Sequence, residues 1–358
     1  MQIGIAYDLK SDFGADADAS ADGPDDRLEE YDSIGTVEAI ASVLRERGHD
    51  VVGLGGGRRF VERLLAAPPD LVFNIAEGRG TRSREAHVPA VCEMLGVPVT
   101  HSDPLTLAVT LDKAMAKRLA ASMGVATPRF AVCRGVADVA SGDVARLKYP
   151  LIAKPMFEGS SMGVRRHSRV VNESELRREV SRLTGDYAQP ALVEEFCSGP
   201  EFTVGILGNG ANARVIGVME IVPKKAAPHE FVYSLEVKRD WENEVEYHVP
   251  PRRDARVIES VAQCALDAYR ALECRDVSRV DVRLDAQGEA RFLEVNPLPG
   301  LNPRTGDLCI LANRSGVTYA DLIDGVVRHA LERGAVSNAR ARMIAASASA
   351  TTSSGRTS

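Results

Sequence analysis

Apolar positions in the first hundred residues fall into two alternating rhythms. Short continuous apolar runs occupy 3–7, 51–54 and 71–76. Between and after them, residues 33–47 and 85–95 carry apolar side chains at helical spacing, the first through Ile34, Val37, Ile40, Ala41 and Leu44. Each helical stretch stops at a glycine, Gly48 or Gly96, the residue that tolerates the left-handed turn closing a helix. Strand and helix alternating in this way predict a small, mainly parallel sheet covered by helices. The Asp- and Gly-rich stretch from Ser11 to Asp26 breaks the rhythm and is expected to be a mobile loop.

The grammar then changes. A helix is predicted over 112–123, ending at Gly124, and a strand over 151–155 runs into Gly159-Ser160-Ser161-Met162-Gly163. Apolar runs at 193–196, 202–207, 215–222, 277–284 and 290–295 have few helices between them, which predicts an antiparallel sheet. An amphipathic helix is expected over 254–272, and residues 319–331 close the fold. The fold class is therefore α/β followed by α+β. Residues 336–358, rich in Ala, Ser, Thr and Arg, lack apolar spacing at their end and are expected to be disordered.

Composition narrows the function classes. A chain of 358 residues, 44% hydrophobic and 26% charged, suits two or three globular domains. A net charge of −6 and an aromatic content of 5% weigh against a nucleic-acid partner, which needs clustered cations and stacking rings. No apolar run reaches membrane-spanning length and the N-terminus reads directly as a strand, so neither a membrane partner nor a signal peptide is expected. Six cysteines without a C-x-x-C pair read as reduced thiols of a cytoplasmic protein.

Three segments carry candidate chemistry. In the first, Asp281 lies on one predicted strand and Glu294 and Asn296 on the next, two residues apart and so on one face. The turn Asp285-Ala286-Gln287-Gly288 would set the two strands side by side. Hard oxygen donors so placed suit Mg²⁺. The second is Lys154 at a strand end before the serine-rich loop, where backbone N–H groups and hydroxyls can surround a phosphate, although the glycine-lysine-Ser/Thr order of a Walker loop is missing. The third, Leu192 to Phe202, is a strand–turn–strand around Ser198-Gly199-Pro200 that offers backbone groups and acids to a nucleotide, or is an ordinary turn with exposed acids.

Taken in order, these segments resemble the ATP-grasp superfamily and, within it, the D-alanine–D-alanine ligase family, over about residues 71–329. Val109-Thr110-Leu111-Asp112-Lys113, Tyr149 to Pro155 with Gly159-Ser160-Ser161, Val193 to Thr203, Arg279-Val280-Asp281 and Glu294 to Gly300 carry the likeness. It implies an ATP-grasp fold with an N-terminal parallel α/β domain (1–108), a small central subdomain (109–190) and a C-terminal subdomain with an antiparallel sheet (191–335). The implied activity is an ATP-dependent ligase forming an amide or peptide bond through an acyl phosphate.

By that resemblance, Lys113 and Lys154 contact the ATP phosphates, and Ser160 and Ser161 fold over them. Glu194 faces the adenine amino group, the backbone of Phe196 and Cys197 borders the ring, and Glu201 holds the ribose. Lys238 reaches the γ-phosphate. Asp281, Glu294 and Asn296 hold two Mg²⁺ ions, with Mn²⁺ a substitute, and Arg279 sits where the acyl phosphate forms. Arg279, Lys238 and Ser161 are thus the catalytic candidates. The implied partners are small amino-acid or carboxylate substrates and a second copy of the chain, joined through the N-terminal domain.

Departures from the family pattern gather at the substrate contacts. Glu29 stands four residues before Ser33, at the spacing of a glutamate that grips the first substrate's ammonium, with Glu30 an equal alternative. Glu77 replaces a histidine, Arg239 replaces a tyrosine, and Thr305, beyond Gly300, stands in for a serine that meets the second substrate. A buried Glu77 needs a cationic partner, and Arg239 is expected to be it. Three readings stay open: a D-alanine–D-alanine-like ligase, a ligase of specialised metabolism acting on another amino acid or carboxylate, and a nucleotide-binding regulatory protein.

Overall fold

Three sheets meet in the structure, a computed structural model that describes residues 1–13, 23–140 and 142–334. The expectation of disorder over 336–358, and that for the middle of the acidic loop at 14–22, lie outside the described residues.

The first sheet is parallel, as expected. Strands β1 (Gln2–Tyr7), β2 (Asp50–Gly55) and β3 (Leu71–Ile75) run in the order β2-β1-β3. The helices Ile34–Glu46 and Gly57–Ala66 make the two crossovers, and Ile40 and Leu44 join Ile3, Ile5 and Phe73 in a buried core. The helix expected from residue 85 starts at His87, after a single 3₁₀ turn, Arg84–Ala86, and ends at Gly96 with φ +67°. A helix at Pro104–Leu111, capped by Asp103, was not anticipated; its mostly apolar sequence has little periodicity to reveal it.

The second sheet is antiparallel: β4 (Phe130–Cys133), β5 (Leu151–Pro155), β6 (Arg169–Val170) and β7 (Ala191–Glu195), in the order β4-β7-β5-β6. The strand expected at 193–196 with the later antiparallel run belongs here instead. Its residues are buried on both faces, so no alternation marks which sheet it joins. The helix Glu173–Asp186, N-capped by Asn172, packs Leu176, Val180 and Leu183 on this sheet.

The third sheet has five antiparallel strands: β8 (Glu201–Leu207), β9 (Arg214–Pro223), β10 (Val245–His248), β11 (Val277–Leu284) and β12 (Ala290–Asn296), ordered β10-β9-β8-β11-β12. The helix Ala255–Ala271 covers one face through Val261, Ala265, Ala268 and Tyr269. The helix Asp307–Arg314 lies on the other, close above the paired Gly205 and Gly217. A Cβ at either would come within 3.0 Å of Leu308 or Leu311, so the missing side chains set this close approach. A final helix spans 319–334. The main cavities lie where the three sheets converge.

Candidate active site

The β11–β12 hairpin builds the centre of the site. Its register pairs Arg279 with Asn296 and Asp281 with Glu294, and strand alternation turns all four toward one face. Val280, Val282 and Val295 point the other way into the core. Thr203 on β8 donates its hydroxyl to Asp281 at 2.9 Å. Arg279 reaches Asp281 at 3.0 Å and Asp307 at 3.6 Å, and Lys113 reaches Glu294 at 3.4 Å. Burial works to raise the Glu294 carboxyl, but Lys113, Lys154, Arg279 and Lys238 outweigh it and hold the group well below its usual range. Burial and then the facing Glu294 push Asp281 upward, only partly opposed by Arg279. Two facing carboxylates, one of them raised chiefly by burial, and the amide of Asn296 form a hard-oxygen set that a divalent cation would relieve. Among the described residues no three His, Cys, Asp or Glu side chains gather as a metal group, so phosphate oxygens and water would have to complete the ion's shell.

On one side of this face lies a cavity open to solvent, lined by Lys113, Lys154, Ser161, Glu194, Phe196, Cys197, Glu201, Lys238, Asp281 and Glu294, with apolar walls from Ile152, Met162, Val232 and Leu293. Apolar walls with a few convergent charges are what a nucleotide-sized ligand needs. Lys154 closes on Glu194 at 2.7 Å, and Lys117 closes on the other oxygen at 2.5 Å. Burial opposes the charge on Glu194, yet the two ammonium groups keep its carboxyl below its ordinary range. Burial likewise opposes the Lys154 ammonium, but Glu194, Glu294 and Glu201 together outweigh it and raise the group. The fully buried Lys117 is instead lowered by burial, against the pull of Glu194. Glu201 pairs with Arg283 at 3.1 Å, and the Arg283 guanidinium lies 4.4 Å from the centre of the Phe196 ring. Lys238 lies over the Tyr233 ring at 5.1 Å.

On the other side, a second cavity is lined by Glu30, Asp32, Glu77, Glu85, Lys113, Glu158, Ser160, Arg279, Asn296 and Gly300. It borders a third that carries Glu29, Lys238, Arg239, Trp241, Arg279, Gly300, Thr305 and Asp307. Trp241 stacks on Tyr247 there, with ring centres 5.2 Å apart and planes at 17°. Between the first cavity and these two lies the serine-rich loop. Ser160 and Ser161 adopt left-handed backbone (φ 46° and 60°), and the Ser161 hydroxyl donates to the Tyr233 carbonyl at 3.2 Å.

The expected Glu77–Arg239 pair does not form. Arg239 binds Asp25 at 2.8 Å and Glu29 at 3.0 Å. The cation acting on Glu77 is Arg84, which is too weak to offset burial, Glu85 and Glu30, and the Glu77 carboxyl is raised. Arg84, 8% exposed at its side chain, clamps Glu30 at 2.6 Å and Glu158 at 3.1 Å. Both substrate-side glutamates, Glu29 and Glu30, are thus engaged by arginines, and Glu30 also accepts the Gly159 N–H.

The structure brings every sequence-predicted site residue to these adjoining cavities. Sequence reasoning missed Lys117, Arg84 and Arg283. Lys117 had a signal: it stands one helical turn after Lys113, on the same face. Arg84, in a 3₁₀ turn, and Arg283, on a strand, have no periodic context.

Residues 119–328 match the family described as D-ala D-ala ligase C-terminus. The D-alanine–D-alanine ligase of Gluconobacter oxydans is 34% identical over 300 residues, covering 83% of this chain and 93% of its own. That of Aquifex aeolicus is 32% identical over 298 residues, covering 82% and 94%. An uncharacterized protein of Sinorhizobium fredii is 32% identical over 302 residues, covering 81% and 85%. The crystal structure of the Bacillus anthracis D-alanine–D-alanine ligase complexed with ATP superposes with a TM-score of 0.69 at 20% identity, covering 93% of this chain and 98% of that one.

Proposed function

Since this chain belongs to the D-alanine–D-alanine ligase family, we infer how its own residues carry out the ATP-dependent joining of two amino acids. The chain is an ATP-dependent ligase of the ATP-grasp fold that forms a peptide bond by way of an acyl phosphate. The observation that carries the residue assignment is the four cations Lys113, Lys154, Lys238 and Arg279 acting on Glu294 where the cavities adjoin.

The chemistry has two displacements. A substrate carboxylate oxygen attacks the γ-phosphorus of ATP, the bond to the β-phosphate oxygen breaks, and ADP leaves. The amine nitrogen of the second amino acid, having lost a proton, then attacks the acyl carbon, and inorganic phosphate leaves. Carboxylate and triphosphate repel each other, so approach needs fixed positive charge. Lys113, Lys154 and Lys238 are read as supplying it at the phosphates, and Arg279 at the acyl phosphate and the tetrahedral oxyanion. Asp281, Glu294 and Asn296 would hold Mg²⁺, which when bound neutralises phosphate charge. The apolar walls would take adenine beside the backbone of Phe196 and Cys197, with Glu194 at its amino group and Glu201 at the ribose. Ser160 and Ser161 lie on the loop that keeps water from the acyl phosphate. Gly300 and Thr305 border the second amino acid, and Glu29, Glu77 and Arg239 the first.

Three coarser features accompany this reading. The three sheets support an N-terminal, a central and a C-terminal unit, with β7 extending the central one to Glu195. A homodimer through the N-terminal unit, which exposes Met94 and Leu105, is part of the same reading. Six free thiols suit the reducing cytoplasm.

The test is phosphate release from Mg²⁺-ATP with D- and L-amino acids, singly and in pairs, read together with product mass. The expected result is phosphate release matched by a dipeptide, with the D-alanine pair, the substrate of the named relatives, tried first. Tight ATP binding without a ligated product from any pair would overturn the reading.

A further inference from the structure

The loop over the phosphate cavity is held from outside by the N-terminal segment 24–30. Asp26 is fully buried. Its carboxylate accepts the Gly163 N–H at 2.8 Å, the Arg165 guanidinium at 3.0 Å and the Tyr187 hydroxyl at 2.8 Å. Gly163 and Arg165 belong to the far end of the loop, and Tyr187 follows the helix that backs the second sheet. Asp25 beside it binds Arg165 and also Arg239, the residue after Lys238. The contacts join groups more than a hundred residues apart, from the first, second and third sheets' surroundings. Asp25, Asp26, Gly163, Arg165 and Tyr187 themselves line none of the three cavities, although Met162 and Val164 beside Gly163 line the first and Arg239 the third.

We propose that Asp26 is a positioning residue, the clasp that holds the phosphate-covering loop shut and so keeps the acyl phosphate from water. A buried carboxylate with three donors is satisfied only when loop, helix end and N-terminal segment are together. Opening the loop strips it of the Gly163 and Arg165 donors, which opposes opening. Closure of the loop is therefore tied to the segment that also carries Glu29 and Glu30 on the substrate side. The role in coupling rests on the ligase reading above; the clasp itself does not.

Two readouts separate these. Limited trypsin digestion followed by mass reports cleavage after Arg165 or Arg166, inside the clasped stretch. Cleavage of a folded protein tracks the population of the locally open state. In Asp26→Asn, which keeps size but loses charge, cleavage there is expected to be faster by about tenfold, the effect of weakening a charge-assisted hydrogen bond. Phosphate released per amide formed is expected to rise above the near-unity ratio of the unaltered enzyme, with kcat for amide falling more than phosphate release does. If Asp26→Asn does not fold, Arg165→Gln removes the same ion pair from the loop side and leaves Arg166 as the cleavage point. Unaltered cleavage in the folded variant would overturn the clasp. Faster cleavage with an unchanged phosphate-to-amide ratio would overturn its role in excluding water. Failure of the unaltered protein to form any amide would count against the ligase reading alone, and proteolysis would still decide the clasp.

Discussion

At the scale of single residues, the site gathers charge that would repel itself without specific partners. Glu85 shows the cost. Burial first, and the negative charge of Glu30 second, push its carboxyl up to about 8, with Arg84 opposing. In the unfolded chain the same group ionises at ordinary carboxylate pH. The folded state holds the proton longer, so this group's contribution is fully present below about pH 4.5 and is lost as pH rises through about 8. Glu85→Gln is therefore expected to flatten the fall in thermal stability between pH 5 and 8. Melting curves across that range check it, and an unchanged pH dependence would place Glu85 in a wetter setting than the structure shows.

At the scale of elements, glycine positions separate functional geometry from mere space. Gly163 has φ +72°, and a Cβ there would lie 2.3 Å from the Pro155 ring. Gly163→Ala is expected to cost about 1–3 kcal/mol and to raise the KM for ATP, because the loop cannot reach Asp26 without strain. Gly185, in the helix Glu173–Asp186, has open space around its missing side chain, and Gly185→Ala is expected to stabilise by about 0.5–1 kcal/mol. Thermal melts and ATP titrations of the two variants distinguish the cases; equal effects would show the loop strain to be unimportant. The elements also show what the sequence revealed. β5, β11 and β12 were legible because their site residues sit in apolar strands with local turn signals. β4, β6 and β10, of four, two and four residues, were not, since so short a strand is defined by a distant partner. The Arg239 partner was misjudged for the same reason. Which of several acids meets a loop arginine is decided by the fold, and Asp25 and Glu29 lie over two hundred residues away.

At the scale of the whole molecule, the cavity assigned to the nucleotide draws Lys154 and Glu194 from the second sheet and Asp281 and Glu294 from the third. A ligand seated there bridges separate hydrophobic cores. A non-hydrolysable ATP analogue with Mg²⁺ at a hundred times its Kd is expected to stabilise the fold by about 2.7 kcal/mol. Scanning calorimetry should show the main transition moving up. An unmoved transition would mean that the nucleotide does not bind the native cavity.

The stacking of Trp241 on Tyr247 has a practical consequence, because the chain contains one tryptophan. That indole stands two residues beyond Arg239, beside the cavity that Lys238 and Arg279 share with the substrate side. Excited at the red edge of its absorbance, the protein emits from that corner alone. Its ultraviolet fluorescence is thus a native optical gauge of the cavity mouth, free of any attached dye, and stopped-flow mixing with amino acid or nucleotide can follow occupancy there in real time.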